Sequence, residues 1–193
     1  MADMVDPNEV RMTGENSFIR LAGEQGGTET TRASHWRILY SPGGQGHALF
    51  LQSDVTDGDV RIYSDNIAVA RWLQDEMESM FFPAFTDQTI PVAEAEFTGS
   101  GDGINHWTET IETPYETVSM AWHDFAEPFV IQSAPNARPG RPLGIYSTFI
   151  PARKAQLTLN GDVAAGAAQP EAVGDAASST CSLAWSESWT KER

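Results

Sequence analysis

Chemistry in this sequence has few places to sit: four histidines, at positions 35, 47, 106 and 123, and a small number of carboxylates that fall on apolar strand faces. The richest stretch runs from 104 to 152. Within it, Thr117 to Phe125 alternates as a strand, with Val118, Met120 and Trp122 on one face and Ser119, Ala121, His123 and Phe125 on the other. Both faces are largely apolar, so the strand is expected to be buried on both sides and to take His123 inside with it. A buried imidazole with a partner works as an acid or base near neutral pH. The plainer alternative is a histidine satisfied by a backbone carbonyl.

Glu187 is the second unusual residue. Cys181, Leu183, Trp185, Glu187 and Trp189 share one face of the last strand, so the carboxylate points where tryptophans point. Desolvation in such surroundings raises a carboxyl pKa, which is how a general acid or base is made. The competing reading leaves Glu187 wet at a fraying terminus. Glu109 shares a face with Trp107 and Ile111, and His106 precedes Trp107. The catalytic set expected is therefore His123, Glu187, His106 and Glu109. Trp107, Trp122 and Trp185 would wall a small-molecule pocket, and Tyr146, Arg37 and Arg141 would supply polar contacts to a substrate. The segment 133–142 carries Arg138 and Arg141 between prolines and reads as a surface loop, a lid or a carboxylate clamp.

Other chemistries lack their motifs. No Gly-x-Ser-x-Gly elbow is present, and the glycine-rich run 99–103 is not followed by the Lys-Ser/Thr of a phosphate loop. The histidines are spread singly, with no His-x-His or Cys-x-x-Cys pair, so no metal site is expected. Asp54, Asp57 and Asp59 do not match the spacing of an EF-hand loop. Cys181 is the single cysteine, expected to be buried and inert, and no intrachain disulfide can form. The formal net charge of −15 argues against nucleic acid and anionic membrane surfaces as partners.

The elements that would position these residues are short strands. Trp36, Ile38 and Tyr40 alternate with His35, Arg37 and Leu39. Asp57-Gly58 between two apolar runs signals a hairpin, and Ala93, Ala95 and Phe97 alternate with Glu94 and Glu96. The one helix expected spans 66–80, capped by Asp65 or Asn66, with Ile67, Ala70, Leu73 and Met77 at helical spacing and an Arg71–Asp75 pair on its wet side. Nine or ten strands with one helix predict a mostly-β fold: a single antiparallel barrel, lipocalin-like, or a β-sandwich.

Residues 1–16 read as a flexible tail, and 17–193 as one β-rich domain with a flexible Ala/Gly-rich loop near 164–179. Deleting residues 1 to 12 is accordingly expected to leave the melting temperature nearly unchanged. No apolar run approaches the roughly 18 residues of a membrane span, and the start lacks signal-peptide features, so a soluble, cytoplasmic protein is expected.

The function these features suggest is a lyase, isomerase or hydrolase without organic cofactor, using His/carboxylate acid–base chemistry in a barrel pocket. A lipocalin-like carrier and an accessory subunit of a larger enzyme are the alternatives. The partners expected are a small organic molecule and, at most, further copies of the chain in a homo-oligomer.

Overall fold

A computed structural model describes residues 10–137 and 143–189. Fourteen strands account for most of it. They are β1 (Val10–Ala22), β2 (Glu29–Tyr40), β3 (Gly46–Ser53), β4 (Val60–Ser64), β5 (Val92–Glu94), β6 (Glu96–Gly101) and β7 (His106–Glu112). Then follow β8 (Thr117–Phe125), β9 (Phe129–Ser133), β10 (Gly144–Leu159), β11 (Asp162–Val163), β12 (Pro170–Val173), β13 (Ala176–Ser179) and β14 (Cys181–Trp189). The main sheet runs β5-β4-β3-β2-β1-β14-β10-β8-β7-β6, with β9 and β11 also paired to β10.

The sheet nearly closes into a barrel. Its terminal strands, β5 and β6, are consecutive in the chain, with only Ala95 between them. The Ala95 N–H donates to the Ser64 carbonyl at 3.2 Å as the chain leaves β4 for β7. The β4–β5 ladder is parallel, and the other described ladders are antiparallel. Closure removes the open edges that so many strands would otherwise expose. The expected mostly-β barrel with one helix is therefore the fold observed.

Alternation divides β1 to β4 between two cores. Ile19, Ala33, Leu49, Tyr63, Ile111, Met120, Trp122 and Leu157 point inward and fill the lower barrel. Trp36, Ile38, Phe50 and Ile62 point outward, where the helix and the segment after it cover them. The period-two split of residues 35 to 39 is thus real: Trp36 and Ile38 face the helix, and His35 faces the interior. At the end holding the β3–β4 and β7–β8 turns, Arg61 pairs with Glu116, which also accepts from the Tyr63 hydroxyl at 2.7 Å.

The helix, α1, begins at Ile67 and lies on the outside of the barrel. Asn66 caps it by accepting from Ala68 N–H at 3.1 Å. It is α-helical over Ile67–Leu73, widens to a π turn over Gln74–Glu78 and ends over Ser79–Phe81. Val69, Ala70, Leu73 and Met77 are buried against the sheet, whereas Ile67 is exposed because it precedes the strip that meets β3 and β4. Arg71 does not pair with Asp75. It donates to Gln74, one turn on in the helix, at 2.6 Å and to the Ile90 carbonyl at 2.9 Å, while Asp75 accepts from Gln88 at 2.9 Å.

The helix also carries a buried acid. Glu78 accepts from Ser34 Oγ at 2.6 Å and from Trp36 Nε1 at 2.7 Å, both through Oε1. Burial outweighs these bonds and pushes its carboxyl up to about 7.

Two boundary expectations are corrected. Residues 10–16 are not tail: they form the first half of β1, with Met12 buried under the helix and Arg11 paired to Glu76 at 2.9 Å. A deletion through residue 12 removes that packing, so the expected neutrality of such a deletion fails; residues 1–9 lie outside the described residues. Residues 164–179 are not a structureless loop either. Ala164 is buried, Ala167 bridges to Ala22, and β12 and β13 form a hairpin. Alanine and glycine there pack closely on the barrel, which a composition-based reading takes for flexibility.

Candidate active site at the barrel mouth

One row of side chains crosses four strands at the end of the barrel opposite Glu116 and ends just past a fifth. Trp185 on β14 is registered with Glu15 on β1, Glu15 with Arg37 on β2, and Arg37 with His47 on β3. Asp65, just past β4, completes it by bonding to His47 twice. Its Oδ1 accepts the His47 backbone N–H and its Oδ2 lies 2.6 Å from His47 Nδ1. Gly46 makes this approach feasible, because a Cβ there would lie 2.6 Å from Asp65 Oδ1. With Asp65 ionised, Nδ1 carries the hydrogen and Nε2 is left with a free lone pair.

The next row inward holds His35, between Ser17 and Leu49. It is fully buried, and its ring lies 6.3 Å from that of His47 and 5.8 Å from that of Phe97. Neither of its ring nitrogens has a hydrogen-bond partner. Burial, reinforced by the charges of His47 and Arg37, lowers its pKa to about 3, so the ring is neutral at physiological pH.

Glu109 faces this group from β7. It is buried, and its Oε1 accepts from Trp107 Nε1 at 2.7 Å. Desolvation raises its pKa, and the charge of Glu15 adds to the rise; the Trp107 bond, His47 and Arg37 work against it. Glu15 is raised too, again chiefly by burial, with Arg37 and His47 pulling it back. The β6 residue opposite Glu109 is Gly99. A Cβ at that position would lie 2.7 Å from Trp107 and 3.1 Å from Glu109 Oε1, so glycine makes the room in which the indole and carboxylate meet. Phe97, two residues earlier, stacks on His47 at 5.1 Å and 15°.

Of the residues expected from sequence, the mouth gathers Glu109, Trp107, Arg37 and, at its rim, Trp185. His123, His106 and Trp122 are placed elsewhere. His123 is exposed, not buried, and stacks on His106 at 6.2 Å on the outer surface, with Lys154 registered beside it. The alternation of β8 holds through His123, where the apolar Ala121 makes a solvent-facing row look internal; Asp124 then takes a φ of 56°, and Phe125 packs on the inner core and not in that row. His106 is likewise exposed, 3.8 Å from Asp102. Asp102 itself is held well below the usual carboxylate range by hydrogen bonds from Asn105, Ile104 and His106 in its turn. Trp122 is a core residue whose Nε1 donates to the Phe18 carbonyl, so it walls no pocket.

Glu187 is half-buried near Thr13, whose hydroxyl donates to it at 3.4 Å, and Trp185 and Tyr146 are exposed at the rim. Arg141 and the Arg138 expected beside it lie outside the described residues. Cys181 is buried, with its thiol pushed up to about 11 by desolvation, which makes it inert. Among the described residues, no three His, Cys, Asp or Glu side chains group to hold a metal ion.

Models of known protein families, curated proteins and solved structures give no match to the chain. The site must therefore be read from its own geometry.

Sequence reasoning misses His35, His47, Asp65 and Glu15. Signals for two of them are present. Arg37 and His35 share a face, so the strand carrying Arg37 into the site carries His35 as well. Asp65 looks like a helix cap, a role that Asn66 takes. The His47–Arg37 and Glu15–Arg37 pairings depend on register, which no single strand encodes. Beside the row a shallow groove of about 490 Å³ opens along Arg37, Gln45, His47 and Asp65.

Proposed function

We propose that this chain is a cofactor-independent enzyme that moves protons on a small organic molecule held at the barrel mouth, in the manner of a lyase, isomerase or hydrolase. The observation that carries the proposal is the His47–Asp65 pair, set across the barrel from Glu109. In this reading Asp65 fixes the His47 ring and His47 Nε2 acts as general base. Glu109, whose pKa is raised, holds a proton further toward neutrality than an exposed glutamate and serves as the acid. Phe97 and Trp107 supply apolar walls, and Arg37 a donor for developing negative charge.

The interior below the mouth favours this reading over a carrier of bulky apolar ligands, because Met120, Trp122 and Leu157 fill it. No helix of the described residues is long and apolar enough to cross a membrane. A cytoplasmic setting suits a chain with one buried, inert thiol.

The proposal is tested by following a panel of small hydroxy, keto and amino compounds by proton NMR in heavy water. The natural chain is expected to exchange or convert at least one of them, and His47→Ala to lose that rate by about 10²-fold or more, the usual contribution of a positioned base. Conversion that survives in His47→Ala, or none with any compound, would contradict it.

A further inference from the structure

Closure of the barrel leaves β9 off the closed path. It pairs with β10 alone, so the backbone N–H and C=O groups along its other side meet no strand among the described residues. Such edges are normally blunted by charge, an internal proline or a bulge. β11 carries Asp162, and the β12–β13 hairpin carries Glu171 and Asp175. β9 has none of these devices. Its residues, Phe-Val-Ile-Gln-Ser, carry no charge, nor does the stretch 145–149 of β10 beside it, and the register between them is unbroken. Pro128 and Pro135 bound the edge without interrupting it. Both of its faces are apolar. On one, Phe129 stacks on Phe149 at 5.4 Å; on the other, Val130 is 51% exposed, with Tyr146 and Trp185 exposed on the next two strands.

We infer that β9 is a dimer edge, at which two copies of this chain pair their β9 strands antiparallel about a two-fold axis at Ile131. The charge of the chain favours this surface for self-association. At a net charge of −15 two copies repel one another, and an uncharged edge is where they can meet without opposing like charges. Glu187, on the same face as Val130, sits two strands away on β14. The sequence of β9 is also self-complementary in that register. Phe129 faces Ser133, Val130 faces Gln132, and Ile131 faces its own copy, so the cross-strand neighbours are apolar or uncharged throughout. A pairing of this kind uses the same patch on both chains and closes at two. It also reaches the mouth. Trp185 is registered with Thr148, and Thr148 with Val130, so the row through Arg37 and Glu15 runs on to the edge, and the second copy's strand extends the same face.

The test is the mass of the full chain in solution, read by sedimentation at tens of micromolar and near neutral pH. The natural chain is expected at twice its 21.1 kDa. Val130→Lys places at the edge the residue by which open strands are commonly blunted, and should weaken the dimer by at least about tenfold. It also makes the net charge less negative by one, so a loss of association reads the edge and not the overall repulsion. A second variant locates the axis. Ile131→Cys sets two thiols opposite one another with Cβ atoms about 4.5–5.5 Å apart, near the reach of a disulfide. Cys181 is buried, so the introduced thiol is the reactive one. Mild oxidation should link Ile131→Cys chains in pairs, and leave unlinked a Tyr115→Cys chain, whose thiol lies equally exposed in the β7–β8 turn.

A natural chain that stays monomeric, a mass that keeps rising past two chains with concentration, a dimer undiminished in Val130→Lys, or Ile131→Cys chains that link no better than Tyr115→Cys would each overturn the inference. Thermal melting of Val130→Lys checks that the variant still folds; if it melts well below the natural chain, the cross-link alone decides. The readout is mass rather than turnover, so a monomeric result leaves the proton-transfer role of His47 standing.

Discussion

Replacing Glu78 by glutamine is expected to stabilise the protein at about pH 8 by about 2–3 kcal/mol and to change little at about pH 4, because each tenfold change in proton affinity corresponds to about 1.4 kcal/mol. Glu78 is fully buried beneath α1, and burial raises its carboxyl to about 7 from the 4.5 of an exposed glutamate. A folded-state pKa above the unfolded one means that the folded chain holds the proton more tightly. The associated stability is present in full below pH 4.5 and is lost as pH rises through 7. Glutamine keeps a carbonyl oxygen for Ser34 Oγ and Trp36 Nε1 and never ionises. Chemical denaturation of both chains at several pH values reads the difference. A variant less stable than the natural chain at pH 8 would show that the ionised carboxylate strengthens the two bonds by more than burial weakens them.

His35 is expected to act in the opposite sense. Its pKa is lowered to about 3 from 6.5, so the folded chain resists the proton that the unfolded chain accepts. The stability this contributes is present in full above pH 6.5 and falls away as pH drops toward 3, by about 3 kcal/mol at pH 4. His35→Leu removes the titration, and its stability should hold or rise between pH 7 and pH 5, where Glu78 takes up its proton. In the natural chain the two groups offset one another across that window, so its stability is expected to be nearly flat there. Each single variant should uncover the slope of the other. Parallel stability curves for the natural chain and His35→Leu would refute the assignment of acid sensitivity to this ring.

The two groups also mark how far sequence reading reaches in this fold. Strand faces are legible because period-two alternation survives in β2 and β7: His35 and Arg37 share a face, as do Trp107 and Glu109. The helix is legible from Asn66 and the Val69–Leu73–Met77 strip. Convergence is not legible. His47 meets Asp65, and Arg37 meets Glu15, through β-ladder register and a β3–β4 hairpin that returns the chain to the same end. His123 misleads for a related reason. Ala121 and Phe125 in alternation with it imitate an internal row, although His123 sits with Lys154 and His106 in solvent and Phe125, past the φ of 56° at Asp124, packs on the inner core instead. The buried Glu78 gives no signal because a glutamate on a helix is normally on the wet face, and only the tertiary donors Ser34 and Trp36 turn it inward.

Titrating the Glu109 carboxyl carbon by NMR, in the natural chain and in His47→Ala, tests most directly whether the mouth is one coupled site. Glu109 is predicted to titrate above the usual glutamate range, and to move higher still when His47 is removed, because the imidazole favours its ionised form. A Glu109 that titrates as an ordinary exposed glutamate and does not respond to His47→Ala would contradict the account: the residues would share a rim without sharing a site.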